Sequence, residues 1–296
     1  MSAALEPEVG AATAEEPATG SRAWRFVRRN PTIVVGGLIL ALVLGAALAA
    51  PLLAPIDPLE INVLVRLQGP SAEHPFGTDH LGRDIWSRTV HGGKVSLLVG
   101  ASVAVISSAL GLFIGLVAGY ITIVDRIVMR IMDGLMSIPS ILLAIALMAL
   151  AGSSIGNVIF AITVSEVPRV TRLVRGIVLS VREEPFIEAA VASGTRTFWI
   201  IVRHILPMTV APLIVQATYV SAAAIISEAY LSFLGAGTPP EVPSWGNVVA
   251  EGRDFFPIAP WLILVPSAFL AMTVLAVNML GDGLRDTLDP RIARRM

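Results

Sequence analysis

Long apolar runs, separated by short polar stretches that carry arginine, set the pattern of this chain. The first run covers 32–53 without a charge and follows Arg22, Arg25, Arg28 and Arg29. Further runs lie at 95–120, 127–151, 155–175, 208–234 and 258–281. A helix of about 20 apolar residues crosses about 30 Å of hydrocarbon. The pattern therefore predicts six transmembrane helices in an all-α integral membrane protein. Arginine followed by an apolar run is also how a secretory signal peptide begins. This run is long for one and more spans follow it, so we expect an uncleaved first span.

The polar stretches divide the chain. Residues 1–30 open it with Ala, Glu, Pro, Gly, Thr and Ser, too polar to offset the entropy of ordering, and predict a disordered cytoplasmic tail. The first span and an extracytoplasmic loop rich in proline fill 31–92. A five-helix core follows over 93–284, interrupted by a cytoplasmic loop at 180–207, and 285–296 form a cytoplasmic tail. With the N-terminus inside, 16 of the 21 basic residues fall on cytoplasmic segments, leaving Arg66, Arg83, Arg88, Lys94 and Arg253 outside. Basic residues mark the cytoplasmic side, which puts both termini and the 180–207 loop there.

Composition agrees with lipid as the main solvent. Of the 296 residues 55% are hydrophobic and only 15% charged, where a soluble domain carries about 25% charged residues. A net charge of -1 offers no basic field for nucleic acid. The absence of cysteine removes thiolate metal sites and thiol nucleophiles, and the four histidines show no paired metal spacing. No catalytic residues and no metal site are expected. Gly92-Gly93-Lys94 suggests a phosphate loop, but Arg88 stands where that loop needs glycine and Val95 where it needs Ser or Thr. ATP is therefore expected on another chain.

Small residues recur every fourth position in the second run, at Ser107, Gly111, Gly115 and Gly119. Such a face lets helices approach closely in lipid, and the spacing leaves open whether the neighbour is in this chain or another. Glu166, Glu228 and Asn278 lie within or at the edge of spans, where acids and amides either pair or mark a pathway. Glu166 is expected near the cytoplasmic end of its helix, with Arg169 as its candidate partner.

The loop from Arg182 to Pro207 reads as two short helices. Pro185 suits a first helical turn, and Glu183, Glu184 and Glu188 favour the positive end of the helix dipole. Gly194 is placed to end the helix in the left-handed conformation. Thr195 is expected to cap a second helix running to Pro207. Ala189 and Ala190 leave one face small enough for a partner's groove, with Glu188 as its charge. An interfacial helix anchored by Trp199 has the same composition.

A resemblance separates these readings. Glu188-Ala189-Ala190, then Gly194 and Ile205-Leu206-Pro207, is similar to the coupling loop of ABC importer permeases. His74-Pro75-Phe76-Gly77-Thr78-Asp79-His80-Leu81-Gly82-Arg83-Asp84 resembles a signature of the peptide/nickel branch of that family. Leu231-Ser232-Phe233-Leu234-Gly235 with Pro243-Ser244-Trp245-Gly246, and Gly281-Asp282-Gly283-Leu284-Arg285-Asp286, resemble its later segments. The short first loop is similar to that of the shorter of the branch's two permeases.

The resemblance implies a MetI-like type I importer permease fold. It implies a homologous second permease, two ATPase subunits carrying ATP and Mg, a substrate-binding protein outside, and a bacterial inner membrane location. Di- and oligopeptides are the implied cargo, with nickel and glutathione-like compounds as alternatives. It gives His74, Gly77, Asp79, Gly82, Arg83 and Asp84 a role in stiffening the outer loop. Glu166 departs from the family, which more often has an aromatic residue there. An ion-coupled secondary transporter remains the rival of another class and would transport unaided.

Overall fold

The computed structural model describes residues 27–288, all helical apart from loops and one isolated bridge between Thr78 and Asp84. The main helices are α1 (Pro31–Leu48), α2 (Ile85–Tyr120), α3 (Thr122–Met136), α4 (Ser140–Ala151), α5 (Ile155–Arg182) and α6 (Pro185–Ala192). After them come α7 (Thr197–Phe233), α8 (Trp245–Gly252) and α9 (Trp261–Leu288). Of the expected tails, residues 1–26 and 289–296 lie outside the described residues, while 285–288 continue α9.

Among the described residues, α1, α2, α7 and α9 are each long and apolar enough to cross a membrane. The run at 127–151 is not one straight span. It is α3 and α4, set at 90° across Ser137, Ile138 and Pro139. Proline lacks an N–H and disfavours helix in the residue before it. Ser137 Oγ donates to the Gly134 carbonyl at 2.7 Å, and α4 restarts on the carbonyl of Pro139. The run at 155–175 lies within α5, whose Glu166, Arg169, Arg172 and Arg175 make it the most charged of the long helices.

α2 starts at Ile85, well before the expected 95. Asp84 accepts the N–H of Ser87 at 2.7 Å and caps the helix. Gly92 and Gly93 thus lie inside α2, against the backbone of Ser244 and the ring of Trp245.

The four-residue ladder on α2 faces α5 of the same chain. A Cβ added at Gly111, Gly115 or Gly119 would lie 2.6, 2.7 or 2.6 Å from the Cβ of Val170, Val174 or Val178. Three glycine gaps thus receive three valines at matching spacing. These valines belong to a buried cluster that also takes Val99, Val103, Ile162 and Val220. Dispersion and close approach, rather than exclusion from water, hold such helices together in lipid. α1 lies on α9 in the same manner: a Cβ at Gly36 would meet the Ala276 carbonyl at 2.7 Å, and one at Gly283 would meet Ile33 Cγ1 at 2.3 Å.

Ion pairs finish the packing beside the arginines of α5. Arg172 meets Asp133 of α3 at 2.7 Å, and Arg175 grips Asp125 with two nitrogens.

Candidate functional site

α6 begins at Pro185 and carries Glu188 in its first turn. Its end is a complete left-handed cap. Gly194 has φ +75°, its N–H donates to Val191 O at 2.9 Å, and the Thr195 N–H donates to Ala190 O at 3.1 Å. No atom lies within 4 Å of a Cβ built on Gly194, so backbone conformation alone calls for glycine there.

The second helix differs from expectation twice. Thr195 does not cap it; Arg196 holds that position and makes no side-chain cap. Nor does the helix stop at Pro207. A π turn over Ile201–Ile205, in which the Leu206 N–H reaches back to Ile201 O, joins it to the next span. The widened turn receives a proline that has no N–H to place in a regular ladder. Thr197–Phe233 is therefore one helix of 37 residues, about 55 Å long at 1.5 Å per residue.

Anchoring and display are divided between residues. Ile187, Ile200 and Ile205 are buried in the main core. Glu188, Ala189, Phe186, Val191, Phe198 and Trp199 are exposed, Ala190 and Leu206 are half-buried, and Pro207 is exposed. The loop thus holds its fold through three isoleucines while presenting an acid, a small residue and apolar side chains.

On the opposite end, the residues from His74 to Asp84 fold into a charged knot. Asp79 Oδ2 meets Arg83 Nε at 2.6 Å and Arg88 Nη1 at 2.8 Å, while its Oδ1 accepts the N–H groups of Leu81 and Arg83. Glu251 of α8 binds both arginines. Burial works to raise the Asp79 carboxyl, and the two guanidiniums with the two N–H groups outweigh it, holding it below the usual aspartate range. His74 Nδ1 lies 3.0 Å from Asp84 Oδ1. Gly77 lies against the ring of Trp261, whose indole N–H donates to Thr78 O, and a Cβ on Gly82 would fall 1.8 Å from Asn62 O. Asp79, His80 and Glu251 bring donor atoms within 4.8 Å of one another. Both carboxylates are already neutralised by Arg83 and Arg88, so a metal ion there would meet two guanidiniums.

The three polar residues of the spans occupy separate places. Glu228 of α7 is fully buried and accepts the hydroxyls of Ser96 at 3.2 Å, Ser232 at 2.9 Å and Ser244 at 2.8 Å. Two of those hydroxyls in turn hold the start of α8, Ser96 accepting the N–H of Trp245 and Ser244 that of Asn247. Glu228 is thus the hub of an interhelical contact. Asn278 lines an apolar groove of about 620 Å³ between α7 and α9. Glu166 lies in mid-helix, 4% exposed, with Arg169 Nη1 3.2 Å from its Oε2; the expected pairing is present, but the expected place at a helix end is not. Glu251 and Ser96 were not singled out from the sequence, because their partners are 132 to 168 residues away, and Ser244 entered only as part of the Pro243-Ser244-Trp245-Gly246 segment.

Residues 109–294 match the family described as binding-protein-dependent transport system inner membrane component, and residues 19–70 match the N-terminal TM domain of oligopeptide transport permease C. A probable peptide ABC transporter permease protein of Sinorhizobium fredii is 54% identical over 271 residues, 92% of this chain and 93% of that one. A dipeptide transport system permease protein of Alkalihalophilus pseudofirmus is 43% identical over 97% of this chain and 96% of its own. A glutathione transport system permease protein of Escherichia coli is 44% identical over 91% of this chain and 89% of its own. The fold matches a chain of the MetNI methionine ABC transporter in its inward facing conformations, with TM-score 0.50 and 21% identity over 66% of this chain and 94% of that one. That is a type I importer permease fold. The chain belongs to the binding-protein-dependent transport system inner membrane components, as a multi-pass, non-catalytic permease subunit of an ABC importer.

Proposed function

We propose that this subunit forms half of a path for di- or oligopeptides and that α6 is where ATPase motion enters it. The observation that carries the coupling role is the division of labour in the 180–207 loop. Ile187, Ile200 and Ile205 root the loop in the core, and Glu188 and Ala189 face outward beside exposed Phe198 and Trp199. A groove on an ATPase that closes over Ala189 and Ala190 would pull on a helix that cannot slide independently.

The continuous α7 supplies the transmission. One end carries Trp199 beside α6, and the other holds α8 through Glu228 and through Gly246, where a Cβ would lie 2.7 Å from Ala229 Cα. A tilt imposed at the cytoplasmic loop therefore reaches the outer mouth through one rod. Two ATPase subunits, holding ATP and Mg, close on the loops of this chain and of a homologous second permease. Their closure favours the outward-open state only because nucleotide binds that arrangement better, and a binding protein then delivers cargo from outside. Both termini are cytoplasmic in this arrangement.

Peptide cargo is supported by relatives named for peptides and dipeptides. Relatives named for glutathione support the second reading, a γ-linked tripeptide. The test is uptake of labelled dipeptide, glutathione and nickel in cells carrying this chain intact or with Glu188→Lys. Loss of peptide uptake with the variant is expected. Unchanged peptide uptake beside abolished nickel uptake would overturn the cargo and keep the permease.

A further inference from the structure

We propose that Glu166 and the serines around it form a receptor for a primary ammonium group, the cation that an unblocked peptide carries at its N-terminus; the proposal rests on the peptide reading above. Glu166 sits halfway along α5, and its Oε2 is sealed from solvent and accepts no hydrogen bond among the described residues. Leaving a buried carboxylate oxygen without a donor is costly, and in a membrane helix it marks a site.

The carboxylate lines a pocket of about 10 Å³, space for one water-sized group. Ser140, Ser165 and Ser227 line the same pocket from three helices. Ser140 is the first residue after the 90° break between α3 and α4, so the helix that closes the pocket is also the one that is interrupted beside it. The Ser165 hydroxyl already donates toward Ala161 O and Ser140 O, which leaves its oxygen to accept. A guest must therefore be small, cationic and rich in donors. An ammonium brings three N–H bonds for the carboxylate and the serine oxygens. A planar guanidinium exceeds the space, and a neutral hydroxyl would bring one donor where an ammonium brings three.

Arg169 completes the device. Its guanidinium lies 3.2 Å from Oε2, in ion-pair range, and its side chain is 53% exposed. It serves as the resident countercharge, free to withdraw toward solvent when the ammonium enters.

The test uses the complete reconstituted importer with tri-alanine, whose only cation is its N-terminal ammonium, and an analogue with photo-leucine as first residue and the ammonium free. Illumination during turnover is expected to attach the analogue to segments 140–144 or 162–166. Glu166→Gln is expected to abolish that attachment and to slow tri-alanine uptake about ten-fold or more, the worth of one charge-assisted hydrogen bond, with Glu166→Asp restoring part of both. Attachment confined to other segments of the wild-type chain overturns the site whether or not the variant folds, as does attachment unchanged in Glu166→Gln. In both cases wild-type uptake leaves the peptide reading standing. Failure of the wild type to take up tri-alanine removes the peptide reading and this site with it.

Discussion

Arg88 Nη1 donates to Glu251 Oε2 at 2.6 Å and Arg88 Nη2 to Oε1 at 3.0 Å, across 163 residues of chain. The same arginine also binds Asp79, and its side chain is fully buried. Replacing it with methionine keeps much of the volume and leaves two carboxylates facing one remaining guanidinium. We expect Arg88→Met to cost about 3–5 kcal/mol, read as a lowered unfolding temperature of the detergent-solubilised complex. Arg88→Lys is expected to recover little, since an ammonium cannot bridge both oxygens of Glu251 in parallel. A melting temperature equal to wild type in Arg88→Met would mean that the knot adds no stability.

The same knot sets a pH dependence. Asp79 titrates below its ordinary range when folded, so its contribution is complete above the unfolded aspartate pKa, about 3.9. It is lost as pH falls through the lower native value. Wild-type stability is expected to hold down to about pH 4 from this group and to fall below it. Asp79→Asn is expected to be less stable at neutral pH and flatter in acid. Parallel acid curves for the two chains would exclude Asp79 as the titrating group.

Gly115 faces Val174 with no room for a methyl group. Gly115→Ala is expected to destabilise by about 1–3 kcal/mol through overpacking. Val174→Ala in the same chain should restore part of the loss, with a coupling of about 0.5–3 kcal/mol between the two sites. Additive effects in the double variant would place the two helices farther apart.

Any side chain at Gly194 would be strained by conformation alone, since space around it is open. Gly194→Val is expected to add about 1–3 kcal/mol of local strain and to displace α6. Transport and stimulated ATP hydrolysis should be lost in Gly194→Val and Glu188→Lys, with membrane insertion intact. Gly194→Asn, which tolerates the left-handed region, should keep most activity. Full ATPase stimulation in both damaging variants would remove the loop from coupling.

Orientation is open to a direct probe because the native chain has no cysteine. Ala72, exposed in the loop between α1 and α2, is replaced by cysteine and treated with an impermeant maleimide. Labelling from outside intact cells is expected. Labelling that requires access from the cytoplasm would invert the assignment.

What could be read from the residues was local or periodic. The cap at Gly194 depends on one backbone conformation and neighbouring carbonyls, and the four-residue ladder on α2 is a period that a single helix displays. Contacts across the chain were not readable. Nothing near Arg88 points to Glu251, and nothing in the glycine ladder names Val170, Val174 and Val178. Where local rules failed, a tertiary demand had overridden them. Pro207 would end an isolated helix, and here a wider turn carries the helix past it. The Asp84 cap, with Arg83 and Arg88 neutralised by Asp79 and Glu251, lets α2 begin among charges that would elsewhere mark a loop.

The π turn at Ile201–Ile205 has a bearing on how such a subunit is matched to its motor. It holds one residue more than a regular turn would, and one residue corresponds to about 100° of rotation about a helix axis. The azimuth at which Trp199 and α6 are displayed, relative to the remainder of the same rod, is therefore set by a single inserted residue. Losing or gaining one residue in this turn would swing Trp199 and α6 about the axis of the rod and carry Ile200 and Ile187 out of their places in the core.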